Sequence, residues 1–212
     1  MNIAIIGASG FIGSALRDEA LNRGHTVTAL VTRPERLESR PGLLVKKTDV
    51  QQTQTLAEDL KGFDAVLSAF SGHAQEDVAG YYAKGFDSIL EAAGQAGVPR
   101  LLVVGGAGSL EVAPGKQLID TPEFPEEYKA TAEGARYALN QLQAQTDVAW
   151  TMLSPAAMIA PGERTGQYRL GGDQLLTDAN GESRISVEDY AKAMIDELET
   201  PQHRNARFTL AY

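Results

Sequence analysis

Ile3-Ala4-Ile5-Ile6-Gly7-Ala8-Ser9-Gly10-Phe11-Ile12-Gly13 decides how the rest of this chain is read. An apolar run of strand character ends at a glycine, and a helix-patterned stretch begins just beyond it. The order strand, glycine turn, helix is what binding a dinucleotide pyrophosphate requires. Gly7 lets the chain leave the strand through a tight turn. Gly10 removes a side chain where backbone must approach phosphate, and Gly13 lets the helix lie close to the strand. The free N–H groups and positive dipole end of the helix then face the anion. Gly7, Ala8, Ser9, Gly10, Phe11, Ile12 and Gly13 together form the expected cofactor cradle. Their spacing is G-x-x-G-x-x-G rather than G-x-G-x-x-G.

Working outward, the 212 residues are enough for one well-buried core and few for two. We therefore expect one dinucleotide-binding domain over residues 1–212. A formal charge of −9 argues against a sequence-independent nucleic-acid binder, which needs a basic face. The absence of cysteine excludes disulfides, thiolate nucleophiles and cysteine metal sites, and it fits a reducing cytosol. Three histidines without clustered spacing give no metal site. Met1-Asn2 runs straight into a strand, and no apolar stretch approaches the ~20 residues that span a bilayer. A cytoplasmic protein with no nucleic-acid or membrane partner is expected. Its oligomeric state cannot be read from the residues.

Strand and helix patterns alternate along the chain. Strands are expected at 2–6, 26–31, 43–46, 64–70, 101–105, 148–153 and 207–210, and helices at 11–23 and 77–96. Thr55-x-x-Glu58 suggests a capping box for a small helix ending at Gly62, Pro125 suggests the start of another, and Ser186-x-x-Asp189 caps the last. Residues 155–183 are rich in glycine and polar residues, a variable segment on the substrate side. Repeated β-α units imply an α/β fold, a doubly wound parallel sheet in the order 3-2-1-4-5-6 with helices on both faces. Ligands in such sheets bind beyond the carboxyl ends of the strands.

At the tip of the second strand an acidic residue would favour NAD by accepting from the ribose. Here stand Thr32 and Arg33, a hydroxyl and a guanidinium suited to a 2′-phosphate, so NADP(H) is favoured over NAD(H). The other reading of Arg33 is a solvated cation in a helix-starting loop.

The shifted glycine resembles the short-chain dehydrogenase/reductase superfamily in its extended and atypical branches. That resemblance implies a Rossmann-type fold, Asp49 and Val50 near the adenine, and Ser68, Ala69 and Phe70 lining ribose and pyrophosphate. In the superfamily a serine after the fifth strand polarises the substrate carbonyl, which points to Ser109. Its usual partners are a tyrosine and lysine spaced Y-x-x-x-K, on one helix face. This chain departs from the pattern. Four positions after Tyr81, Tyr82, Tyr128, Tyr137, Tyr168 and Tyr190 stand Gly85, Phe86, Ala132, Gln141, Gly172 and Met194. Tyr128-Lys129 lies near the expected place, but adjacent helical residues do not face each other.

The missing pair, together with Gly105-Gly106-Ala107-Gly108-Ser109-Leu110, Ser154-Pro155-Ala156 and Pro161-Gly162-Glu163-Arg164-Thr165-Gly166, is similar to a narrower group. These are atypical NAD(P)H-binding members of the NADH-flavin reductase and biliverdin reductase B type. The resemblance runs over essentially the whole length and adds Gly105 and Pro155 to the cofactor set.

A flavin-like or quinone-like acceptor spreads the charge it gains, so it needs close stacking on the nicotinamide more than a strong acid. We therefore expect an NAD(P)H-dependent oxidoreductase acting on a small conjugated acceptor. Ser109, Tyr128 and Lys129 are its candidate catalytic residues, although Ser109 can also cap a turn and Tyr128-Lys129 can begin a solvated helix. His73 can deliver a proton at the pocket mouth or be a surface residue. Arg164, Tyr168 and Arg169 can hold an acidic or phosphorylated acceptor, or form a surface salt-bridge loop. Two alternatives remain open: a non-catalytic NAD(P)-binding redox sensor and, weakened by the missing pair, a nucleotide-sugar epimerase or dehydratase.

Overall fold

In the computed structural model, which describes residues 1–144 and 147–212, strands and helices alternate as the sequence implies. The elements are β1 (Asn2–Ile6), α1 (Phe11–Asn22), β2 (Thr26–Val31), β3 (Leu43–Lys47), α2 (Thr53–Asp59), β4 (Ala65–Ser68) and α3 (Val78–Ala96). They continue with β5 (Leu101–Val104), β6 (Glu111–Ala113), β7 (Lys116–Gln117), α4 (Glu126–Ala144), β8 (Trp150–Ser154) and β9 (Met158–Ala160). The chain closes with β10 (Arg169–Gly171), β11 (Arg184–Ser186), α5 (Val187–Glu199) and β12 (Ala206–Ala211).

The main sheet runs β3-β2-β1-β4-β5-β8-β12-β10. Its first seven strands are parallel, and β10 lies antiparallel on β12. The expected order 3-2-1-4-5-6 thus sits inside a wider sheet. The closing strand forms a seventh parallel member. The antiparallel edge comes from the variable segment, where glycine-rich sequence gives little strand signal.

Alternation along β1 explains the two cores. Ile3 and Ile5 face one side with Leu16 and Ala20 of α1 and Tyr190, Met194 and Ile195 of α5. Ala4 and Ile6 face the other with Leu56, Phe86, Ile89 and Leu139 from α2, α3 and α4. A strand buried on both faces reads as continuous apolar sequence, which is why β1, β4 and β5 are legible. Tyr190 is fully buried, and its hydroxyl donates to Leu153 O at 2.7 Å. Ser186 caps α5 as expected, accepting from Asp189 N at 3.0 Å.

The proposed cap at Thr55 needs correction. Helix α2 opens two residues earlier, at Thr53, after a Gln52 that makes no side-chain cap. Thr53 Oγ1 is instead within 2.8 Å of Ser88 Oγ on α3, so a tertiary hydrogen bond fixes this end. Thr55 lies inside the helix.

Leaving β1, the chain builds β2 and β3 on one side, then crosses back to β4 on the other. That reversal opens a crevice beside the carboxyl end of β1.

Candidate functional site

The glycine turn fills that crevice edge for steric reasons that can be read atom by atom. Gly7 has φ +75°, and a Cβ there would stand 2.5 Å from Ala69 O. A Cβ on Gly13 would collide with the backbone of Gly7. Both glycines are therefore demanded by the protein itself. Gly10 is different: its backbone is extended, and a Cβ would meet only Gly7 O, at 3.4 Å. The protein leaves room at Gly10, so its missing side chain clears space on the open side. The helical ladder begins with Ser14 N donating to Gly10 O at 2.9 Å, and no side chain caps α1. The amides of Phe11, Ile12 and Gly13 precede that ladder and are available to an anion. This geometry fits a dinucleotide pyrophosphate.

Two cavities flank the turn. Gly10–Gly13 border a cleft of about 560 Å³, whereas Ser9 and Ser14 border a second of about 510 Å³. The smaller holds Arg17, Arg36 and Arg40. Arg40 and Arg17 both contact the Asp18 carboxylate, and Arg17 also donates to Ala8 O. Arg36, on a 3-10 turn at Pro34–Arg36, has no ion pair among the described residues. Arg33 and Thr32 are exposed and outside this lining. Arg33 contributes its carbonyl to the turn, accepting from Arg36 N at 3.1 Å. Asp49 is exposed and accepts from Gln51 N, while Val50 and Ser68 are buried.

The larger cleft brings together Ala69, Phe70, Gly105 and Pro155 with the turn. Gly106 and Gly108 let the exit of β5 press against α4, since a Cβ on either would stand 2.8 Å from Ala135 or Ala132 Cβ. Phe70 stacks with Tyr82 at 5.6 Å between ring centroids, and Tyr82 with Phe86 at 6.0 Å. Gly134 of α4 makes room for this ring, because a Cβ there would lie 3.0 Å from Tyr82 Cγ. Tyr82 is 7% exposed and its side chain lines the cleft. Its hydroxyl has no hydrogen-bond partner among the described residues, and burial pushes the phenol well above its ordinary pKa. It is a neutral donor at every physiological pH.

The expected catalytic trio does not assemble. Ser109 is 2% exposed and lies outside the cleft lining; its Oγ accepts from Arg207 at 3.2 Å, and Arg207 also holds Ser154 and Asp173. Lys129 pairs with Glu126 at 2.6 Å. Tyr128 alone of the three lines the cleft, on its exposed rim. His73 also lines it, with Nδ1 3.3 Å from Thr131 Oγ1.

Arg164 and Tyr168 lie outside the cleft lining, held against α1 and α5. Arg164 makes two hydrogen bonds to Glu19 at 2.9 and 2.7 Å, and Glu19 is also held by Arg23. Tyr168 donates to Asp196 at 3.3 Å; burial and that carboxylate raise its pKa. Arg169 donates to the carbonyls of Thr177 and Tyr212 at the sheet edge. The salt-bridge reading of this segment describes the geometry.

Tyr82, weighed in the sequence only for a lysine partner, also lines the cleft, as do Leu118, Glu123, Phe124, Thr131, Met158 and Ile159, which the sequence reading did not single out. Phe11, Tyr128 and Met158 are large side chains left half or more exposed, and all three rim this cleft. Clustered exposed apolar surface of this kind marks a binding face. Only Met158-Ile159, apolar beside glycine-rich sequence, offers a local signal.

A sequence profile of the family described as NAD(P)H-binding matches residues 7–201. The chain is 45% identical to the "Uncharacterized protein YwnB" of Bacillus subtilis, across 99% of this chain and 98% of that one. Among solved structures, a "putative epimerase" from Bacteroides thetaiotaomicron is 47% identical, covering 100% of this chain and 96% of its own, with TM-score 0.93. A "putative NADH-flavin reductase" from Streptococcus pneumoniae is 38% identical, covering 100% and 99%, with TM-score 0.87.

Proposed function

The chain belongs to the NAD(P)H-binding family, and from that premise we propose that it is a reductase passing hydride to a flavin-like or quinone-like acceptor. One observation carries the reading: the wall opposite the glycine turn is apolar and holds no tyrosine–lysine pair. Such a wall suits an acceptor that needs stacking rather than a strong acid. A bound dinucleotide supplies the hydride. Gly7–Gly13 would hold its pyrophosphate, Ala69 and Phe70 its ribose, and Gly105 and Pro155 its nicotinamide end. Asp49, Val50 and Ser68 would border the adenosine half.

NADP(H) is the proposed cofactor. Supporting this are Thr32 and Arg33 at the β2 tip and, beside Ser9, Arg36, which has no ion pair among the described residues. A guanidinium meets phosphate through paired N–H donors and stays charged.

NADPH oxidation in the presence of FMN, riboflavin and quinones tests the reading. Turnover with any of them sustains it. Tight NADPH binding with no acceptor turned over would replace it with a cofactor sensor that regulates a partner. The description of the Bacteroides protein raises an epimerase reading. Against it here stands a cleft lining without lysine or arginine to hold a sugar-nucleotide diphosphate.

A further inference from the structure

We propose that the cleft takes an uncharged conjugated carbonyl compound, with Tyr82 hydrogen-bonding its oxygen and Glu123 turning away acceptors that carry phosphate or carboxylate. The proposal rests on the reductase reading and narrows its substrate class.

Charge is the first argument. Among the described residues that line the cleft, the acidic or basic side chains are His73 and Glu123; Glu123 is exposed and has no ion pair among the described residues. The arginines that could have answered an anion are engaged elsewhere, Arg164 by Glu19 and Arg169 by backbone carbonyls. Bringing a phosphate or carboxylate to an apolar wall without a cation leaves its desolvation uncompensated. The carboxylate at the rim adds repulsion. A neutral ring pays neither cost.

The second argument is a donor held in place inside the cleft. Tyr82 is nearly buried, lines the cleft, and is fixed by stacking on Phe70 and Phe86. Its hydroxyl has no protein partner among the described residues, so it is open to a carbonyl seated in the cleft, whose hydrogen bond would replace one to water. The raised pKa makes the phenol a hydrogen-bond donor rather than the proton source. The acceptor gains hydride from reduced nicotinamide and one proton from solvent at the open mouth. A quinone so treated leaves as hydroquinone, and the nicotinamide is left oxidised.

The test is equilibrium binding to the full-length protein saturated with NADP⁺, where no turnover occurs. Riboflavin and FMN share one ring and differ by the phosphate, while menadione supplies a quinone. Neutral riboflavin or menadione should bind at least about five-fold more tightly than FMN at low salt, the effect of two charges roughly 8 Å from a carboxylate in water. The stronger of the two neutral ligands identifies the ring. Glu123→Gln should shrink the riboflavin–FMN gap and Glu123→Lys should reverse it, with both differences fading as salt is raised. Tyr82→Phe keeps the stacked ring and should weaken the preferred neutral ligand about three-fold or more, with the melting temperature and NADP⁺ affinity unchanged. FMN binding as tightly as riboflavin, or a Glu123→Lys variant with an unaltered gap, would overturn the charge assignment. Wild-type affinity in Tyr82→Phe would overturn the anchor. Selective neutral binding without NADPH oxidation would leave the ligand class standing and sink only the reductase reading.

Discussion

The two cavities beside the glycine turn are built on different rules. On the arginine side, Ser9, Ser14, Arg17, Arg36 and Arg40 offer hydroxyls and guanidinium groups, against the single carboxylate of Glu38, around a space of net positive charge that suits phosphate. On the other, Phe11, Tyr82, Phe124, Met158 and Ile159 offer apolar surface, with one rim carboxylate and no arginine or lysine in the lining. The turn between them is set mainly by backbone contacts, with Arg17 donating to Ala8 O. The proposed dinucleotide, spanning both, would set its phosphates toward the first and its nicotinamide toward the second. The two sides differ in what builds them: the turn depends largely on main chain, the apolar wall on side chains from α3, α4, β9 and the segment before α4.

The largest expected effect separates the glycines that serve the protein from the one that serves the ligand. Gly13→Val drives a side chain into the Gly7 backbone, which cannot retreat without moving β1. Overpacking of this kind costs about 3 kcal/mol or more, and thermal unfolding should show it as a large drop in Tm. Gly10→Val meets no comparable obstacle, because its extended backbone tolerates any residue. It should fold, losing about 1 kcal/mol at the helix cap, yet lose at least a hundred-fold in affinity for both NADPH and NADH in calorimetry. Retained affinity would mean that the pyrophosphate lies elsewhere.

Arg36 probes the arginine side directly. Arg36→Ala should raise the NADPH dissociation constant about ten-fold and leave NADH within two-fold, the value of one charge-assisted hydrogen bond at an exposed site. If Arg33→Ala alone produces that shift, the β2 tip rather than the 3-10 turn reads the phosphate. Equal loss of both cofactors would show that Arg36 shapes the cavity without touching a 2′-phosphate.

How much of this was legible follows the same division. Gly7 and Gly13 answer to neighbours close in sequence or fixed by a parallel strand pair, so their spacing declared the turn and, with the apolar strands, the sheet. Arg33 and Arg36 are three residues apart, and only the local 3-10 turn decides which reaches the cavity beside Ser9. The acceptor wall was opaque for another reason. Tyr82 comes from α3, Glu123 and Phe124 from the segment before α4, and Met158 from β9, and no periodicity couples them. Ser109 misled because a buried arginine 98 residues away claims its hydroxyl. Tertiary partners at that range leave no local trace.

Arg164 carries the smallest effect and tests whether the apolar side is free of cationic help. In the structure it is tied to Glu19, which Arg23 also holds, and its side chain is 48% exposed. Arg164→Ala should therefore leave acceptor KM within two-fold; a marked loss confined to anionic acceptors would contradict the charge inventory of the cleft. Its stability cost should be only about 0.5–1 kcal/mol, since solvent screens a half-exposed pair. That cost depends on pH in a defined direction. Burial acts to raise the Glu19 pKa, but hydrogen bonds from Arg164 and Arg23 outweigh it and hold the carboxyl below its ordinary value of 4.5. A depressed carboxylate pKa contributes stability that is fully present above 4.5 and is lost as pH falls through the lower folded-state value. Wild type and Arg164→Ala should differ in urea midpoint at pH 7 and converge once Glu19 is protonated in the folded state. A gap that persists unchanged to pH 2.5 would show that Arg164 contributes through packing of its stem rather than through Glu19.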